Sequence, residues 1–186
     1  MERISFDAVV LAGGGARRLG GADKAELRVA GRRLIDRVLG ALEGAERIVV
    51  VGPARVVDAP VLWTREEPVG AGPVAAVTAG LELVQAETVV LLAVDLPFVE
   101  TATVERLVTA VGDGDGALLV DGEGRDQMLA GAYRAAALRA RVAELGDTAG
   151  ASMRGLIEGL SLARVVDERA ATDCDTWDDV AAAEEG

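Results

Sequence analysis

A doubly wound, three-layer α/β/α fold with a mixed, mostly parallel sheet is predicted by three features of this 186-residue chain. The first is a set of short runs with hardly a polar residue, Ala8-Val9-Val10-Leu11-Ala12, Ile48-Val49-Val50-Val51 and Val89-Val90-Leu91-Leu92-Ala93-Val94, which suit strands buried on both faces. The second is the stretches between them, where apolar residues return every three or four positions, the helical period. The third is their order, because alternating strands and helices build a parallel sheet covered on both sides. No repeat or low-complexity linker interrupts the pattern, so residues 1–186 read as one domain with a substantial core.

The elements follow in order. The first strand, 7–12, runs into a glycine-rich segment, 13–23. Leu34, Ile35, Val38, Leu39 and Leu42 then form one helical face, and the strand Ile48-Val49-Val50-Val51 is stopped by Gly52-Pro53. Val61-Leu62-Trp63 is a short third strand. After Gly70-Ala71-Gly72-Pro73, the residues Val74, Val77, Leu81 and Val84 give a second helical face that starts behind its proline. Residues 88–94 are the most apolar strand. Val104, Leu107, Val108 and Val111 form a third helical face, followed by a strand over 117–120, a turn at Asp121-Gly122-Glu123-Gly124 and a return strand over 127–133. Helices over 135–145 and 153–160, a strand over 163–166 and a helix from Trp177 complete the chain, with loops at 112–116 and 146–150.

Charge and residue usage narrow the function. A formal charge of −12 repels the phosphates of nucleic acid and anionic lipid, so neither nucleic acid nor a membrane is an expected partner, while a small chelated nucleotide is compatible. The longest apolar run is strand-sized. The first residues lack the apolar core of a secretory signal, and a cytoplasmic location is expected. Cys174 is the single cysteine, which excludes an internal disulfide, and without a histidine to activate it the thiol reads as packing. The chain has no histidine at all, so imidazole is available neither as a base nor as a metal ligand.

The glycine-rich segment carries the chemistry. Glycines directly after a buried strand let the backbone approach a ligand and turn its N–H groups toward an anion, and Arg17, Arg18 and Lys24 add positive charge. Gly13, Gly14 and Gly15 with these side chains therefore read as a polyphosphate cradle. Lys24 is the only lysine beside eighteen arginines. Its compact ammonium can follow a moving oxygen, whereas guanidinium is a planar fork suited to static contacts; the plain alternative is a solvated surface lysine. The P-loop spacing fails, because Gly21 and Ala22 stand where its Lys and Ser/Thr are required, and Arg18 occupies the place of the third glycine of a dinucleotide-binding fingerprint.

Doubly wound sheets bind ligands at the carboxyl ends of their strands. Asp95, in Asp95-Leu96-Pro97, ends the most apolar strand and is read either as a Mg²⁺ ligand or as a helix cap. Glu66-Glu67-Pro68 and Gly70-Ala71-Gly72-Pro73 form a polar loop that is either solvated or able to accept the adjacent N1–H and N2–H donors of guanine, which cytosine lacks. Asp173-Cys174-Asp175-Thr176 either caps the last helix or sets an acidic pair near a metal.

Together, Leu11-Ala12-Gly13-Gly14, Ala16-Arg17-Arg18-Leu19-Gly20-Gly21, Asp23-Lys24, Gly72-Pro73, Asp95-Leu96-Pro97 and Asp173-Cys174-Asp175-Thr176, in this order over nearly the whole chain, resemble the molybdenum cofactor guanylyltransferases. The resemblance implies a Rossmann-like sheet of the nucleotide-diphospho-sugar transferase type, with GTP and molybdopterin as substrates, Mg²⁺ as cofactor and molybdopterin-delivering proteins as further partners. It implies that Leu11, Ala12 and Gly13 contact the nucleotide, Lys24 its phosphates and Asp95 both nucleotide and Mg²⁺; Gly14, Gly15 and Arg18 of the cradle and Glu67 and Gly72 of the polar loop join them as candidate contacts, with Lys24, Arg17 and Asp95 as the catalytic candidates. The implied reaction is attack of the terminal phosphate of molybdopterin on the α-phosphorus of GTP, with release of pyrophosphate. Departures are local: Gly52 stands where some members have asparagine, Glu67 replaces an aspartate and Asp175 replaces an asparagine. Another nucleotidyltransferase of the same fold, or a nucleotide-binding module without catalysis, remains an alternative on the sequence.

Overall fold

The computed structural model describes residues 4–13, 21 and 23–185. Its centre is strand β1 (Phe6–Leu11), buried at every position. Two parallel neighbours flank it, β4 (Arg47–Val51) on one side and β6 (Thr88–Ala93) on the other. With β5 (Leu62–Thr64), β7 (Gly116–Val120), β8 (Asp126–Arg134) and β9 (Leu162–Val166) they make a seven-stranded sheet in the order β5-β4-β1-β6-β8-β7-β9. β8 runs antiparallel to both of its neighbours, and the other pairings are parallel. The doubly wound fold expected from the alternation is therefore the fold observed.

The apolar strands divide their side chains between two helical layers, which is why they lack the usual polar alternation. Ala8, Val10, Val50, Val90 and Leu92 pack with α1 (Leu34–Ala41) and α3 (Thr101–Ala110). Val9, Leu11, Val49, Val51, Val89 and Leu91 pack with α2 (Pro73–Leu81), α4 (Ala135–Leu145) and α5 (Met153–Ile157). The helix expected over 153–160 stops at Ile157, because Glu158 has extended ψ and Gly159 has a φ of +82°.

Two features lay beyond the periodicity. Residues 28–33 form a two-stranded ribbon, β2 (Arg28–Val29) and β3 (Arg32–Arg33). Both residues of its turn have positive φ, Ala30 at +49° and Gly31 at +76°. Asn-Gly is the familiar signal for such a turn, and alanine in the first place hides it. The ribbon also roots a small third core, in which Val29 and Leu34 meet Cys174, Val180 and Ala183 and so dock α6 (Trp177–Glu185). Asp175, just before α6, is thereby brought beside Lys24.

At the amino end of β1, Asp7 is 2% exposed. Its Oδ2 accepts from the N–H groups of Gln85 at 2.7 Å and Ala86 at 3.0 Å, and Arg47 lies 3.8 Å away. This carboxylate fastens the α2–β6 connection to the first strand. Asp7→Ala strands two inward-facing N–H groups and is expected to cost about 1–3 kcal/mol of stability, read from the urea midpoint at unchanged m-value.

Candidate active site

From β1 the chain crosses to β4 on one side, and after β5 it returns to β6 on the other, so the switch point of the winding lies between β1 and β6. Ligands of doubly wound sheets bind outside the carboxyl ends at such a point. The ladder continues one step beyond both strands: Ala12 N donates to Val51 O at 2.8 Å, and Val94 N donates to Leu11 O at 3.1 Å. Gly13 and Asp95 therefore leave the sheet side by side. Gly52, with φ +152°, packs so closely that a Cβ there would lie 2.8 Å from Ala12 C and Gly13 N. Glycine at this position is required by the backbone it touches, whatever contact an asparagine makes elsewhere.

Lys24 opens a single 3₁₀ turn, Lys24–Glu26, capped by Asp23, whose Oδ1 accepts from Ala25 N at 3.1 Å. The turn aims the lysine inward. Its Nζ donates to Asp95 Oδ2 at 2.6 Å and also to Asp175 Oδ1, gathering residues from the first, middle and last parts of the chain at one atom. The three side chains are 20%, 15% and 43% exposed respectively. Burial opposes the ammonium form of Lys24, but hydrogen bonds to Asp175 and Asp95 outweigh it and hold the pKa above its ordinary value. Asp175 is delivered by two clamps. Cys174 N donates to Asp95 O at 3.0 Å, and Asp179 Oδ2 accepts from Asp175 N, Thr176 N and Thr176 Oγ1. Asp173 beside them is raised above the usual carboxylate range, first by burial and then by the charges of Asp175 and Asp95.

Two cavities meet at Asp95. One, of about 320 Å³, is lined by Leu11, Gly13, Lys24, Glu66, Gly72 and Asp95. The other, of about 300 Å³, is lined by Asp95, Gln127, Met128, Met153, Asp173 and Asp175. β8 shapes the second cavity through an irregularity: the partner of Leu118 is Gly131 but that of Leu119 is Gln127, so residues 128–130 arch out of the β7 ladder. A larger hollow of about 510 Å³ lies at the amino ends of the strands, but its buried carboxylate is Asp7, already engaged by backbone amides.

Residues 8–166 match the MobA-like NTP transferase domain model. The chain belongs to this family. A relative from Opitutus terrae named "Probable molybdenum cofactor guanylyltransferase" is 39% identical over 128 residues, 65% of this chain and 63% of that one, so the match spans less than two thirds of that relative's length. A protein of the same printed name from Mycobacterium bovis is 32% identical over 174 residues, covering 89% of this chain and 85% of the relative. Among solved structures, molybdopterin-guanine dinucleotide biosynthesis protein A from Archaeoglobus fulgidus superposes with a TM-score of 0.73 over 96% of this chain and 97% of its own, at 22% identity, which is a likeness of fold.

Of the residues that the sequence nominates in this NTP transferase domain, Leu11, Gly13, Lys24, Gly72 and Asp95 line one cavity, and Ala12 is buried directly behind them. Gly14, Gly15, Arg17 and Arg18 lie outside the described residues. Glu67 is exposed and does not line the cavity, whereas its neighbour Glu66 is buried on the cavity wall, its Oε1 accepting from Gly70 N at 2.9 Å. The chain bends at Glu67-Pro68, and of the two adjacent glutamates only Glu66 lines the cavity. Among the described residues no group of three Asp, Glu, His or Cys side chains is arranged to hold a metal ion. Gln127, Met128 and Met153 had no sequence signal; they reach the second cavity through the β8 arch and the start of α5.

Cys174, fully buried between Asp95 and α6, has its thiol pushed from 9.0 to about 11 by burial and then by the carboxylates of Asp179, Asp95 and Asp173. The thiolate fraction of the native protein at pH 8 is therefore very small. Maleimide labelling of native protein at pH 8 is expected to proceed at least about a hundredfold slower than in denaturant, and to quicken only as the pH approaches 11.

Proposed function

We propose that this protein transfers GMP from GTP to the terminal phosphate of molybdopterin, with release of pyrophosphate. The observation that carries the reading is the meeting of two cavities at Asp95, with Lys24 on the wall of one and Asp175 on the wall of the other. A group-transfer enzyme needs such an arrangement, in which donor and acceptor occupy separate pockets and the transferred group passes between them. The names of the relatives supply the guanylyl group and the molybdenum cofactor, which this reading takes as GTP and molybdopterin.

The chemistry asks little of the side chains as bases. A phosphate monoester has its second pKa at about 6 and is already mostly dianionic near neutral pH. An acceptor oxygen forms the new bond to the α-phosphorus while the bond from that phosphorus to the β-phosphate bridging oxygen breaks, and pyrophosphate leaves with the bonding pair. No proton has to be removed, which suits a chain without histidine. The enzyme's part is alignment and neutralisation of charge. Lys24, kept charged, supplies one positive group; Gly13, Gly14, Gly15, Arg17 and Arg18 belong to the same phosphate-binding segment in this reading. Glu66 offers a carboxylate to the N1–H and N2–H edge of guanine, and Gly72 caps the start of α2 on the same wall.

Mg²⁺ fits the donor set. Two carboxylate oxygens, from Asp95 and Asp175, already share one cation, the Nζ of Lys24, and Mg²⁺ takes one or two carboxylates together with phosphate oxygens and water. These two residues would hold the ion, which when bound would neutralise charge on the triphosphate. Molybdopterin-delivering proteins as partners and a cytoplasmic location belong to the same reading, and among the described residues no helix is long and apolar enough to cross a membrane.

The deciding experiment is incubation of the protein with molybdopterin and each nucleoside triphosphate in turn, with mass analysis of the product. Molybdopterin guanine dinucleotide from GTP is expected, and a cytosine product or none would overturn the assignment. Lys24→Ala is expected to lower kcat/KM on the order of 10²–10³-fold, measured as pyrophosphate release, with Lys24→Arg also impaired. Glu66→Gln places an amide where a carboxylate faces guanine and is expected to reduce the preference for GTP over ATP by about tenfold or more, read as a ratio of kcat/KM values.

A further inference from the structure

We propose that Lys24 and a divalent cation compete for the Asp95–Asp175 carboxylate pair, and that a triphosphate, by drawing the ammonium onto its own oxygens, passes the pair to the metal. This rests on the reading of the larger site cavity as a nucleotide pocket. Metal and nucleotide would then enter as a coupled pair, with Asp175 a positioning residue for Lys24.

The geometry supplies the exclusivity. Asp95 Oδ2 and Asp175 Oδ1 converge on the same Nζ, so a cation bridging these oxygens needs the ground the ammonium holds. Displacing Lys24 with nothing to receive it would leave a charge that is only 20% exposed facing a doubly charged ion, and separating one member of a partly buried ion group is costly. The same lysine lines the nucleotide cavity, so a triphosphate there offers its ammonium a partner within reach of a flexible four-carbon stem. Arginine, with its rigid fork, is poorly suited to the exchange. Asp175 matters because a carboxylate at that position makes the pair attractive to both cations, and it is held in place independently of Lys24 by Asp179 and by the backbone bond from Cys174 to Asp95. Among the described residues, Glu66, Asp126, Asp173 and Asp179 also face the site or Asp175, and all are acidic.

Mn²⁺ binding measured by electron paramagnetic resonance without nucleotide tests the competition. Lys24→Met is expected to bind one Mn²⁺ about tenfold or more tighter than the wild type, and adding Asp95→Asn or Asp175→Asn to Lys24→Met to remove most of the gain. Binding by Lys24→Met no tighter than the wild type overturns the proposal. A measurement on the unaltered protein guards against a variant that fails to fold. Because the chain has one lysine, ¹³Cε-lysine labelling gives a single reporter. Its resonance is expected to stay in place when millimolar Mg²⁺ is added alone and to move when Mg²⁺ is added with α,β-methylene GTP. A full shift with Mg²⁺ alone, or none with the analogue, overturns it. The outcomes separate from those of the assigned reaction: tighter Mn²⁺ binding by Lys24→Met with no dinucleotide product would keep the competition and discard the guanylyltransferase reading, and the reverse pair would do the opposite.

Discussion

The shared hydrogen bonding of Lys24 by Asp95 and Asp175 is the contact on which the arrangement of the site depends. Each charge alone in a half-buried crevice would be poorly solvated, and together they satisfy one another. The requirement reaches far through the chain. It needs a turn capped by Asp23 to aim the lysine, a strand ending at Ala93 to present Asp95, and a terminal helix docked on the β2–β3 ribbon to return Asp175. The small core of Val29, Leu34, Cys174, Val180 and Ala183 is thus part of the site's support, although none of its side chains lines either site cavity.

The two ends of the central strands are treated differently for a physical reason. At the amino end, Asp7 is closed off by backbone N–H donors and serves cohesion. At the carboxyl end, chain segments diverge to opposite faces of the sheet, and the gap between them exposes glycine backbone, one lysine and several carboxylates. The crossovers on either side of β1 leave in different directions, which opens a crevice at the carboxyl ends of β1 and β6.

The acidity of the second cavity also has a chemical meaning. Its walls carry Asp95, Asp126, Asp173 and Asp175 with no basic residue among the described lining, in a chain of formal charge −12. Among the described residues, the positive charge next to this acidic wall is that of Lys24, bonded to Asp95 and Asp175 at the seam. Burial first, and then the charges of Asp175 and Asp95, hold Asp173 above the usual carboxylate range.

Much of this was legible in the sequence, because it depends on local periodicity and on the chemistry of single residues. Uninterrupted apolar runs identify strands buried on both faces, helical spacing identifies their covers, and a glycine after β1 with a solitary lysine points to Gly13 and Lys24, which line one cavity. Other features were not legible. The ribbon at 28–33 was hidden because alanine occupies a left-handed position usually taken by asparagine. The orientation of Glu66 rather than Glu67, and the arch that sends Met128 into the second cavity, depend on how a loop and an irregular strand are bent by their neighbours. The sequence by itself determined the fold class, since it follows from patterns a few residues long. Only the tertiary structure decided that Asp175, 151 positions from Lys24, shares its ammonium with Asp95, because a contact between distant segments is set by the packing of the C-terminal helix and leaves no periodic trace in either segment.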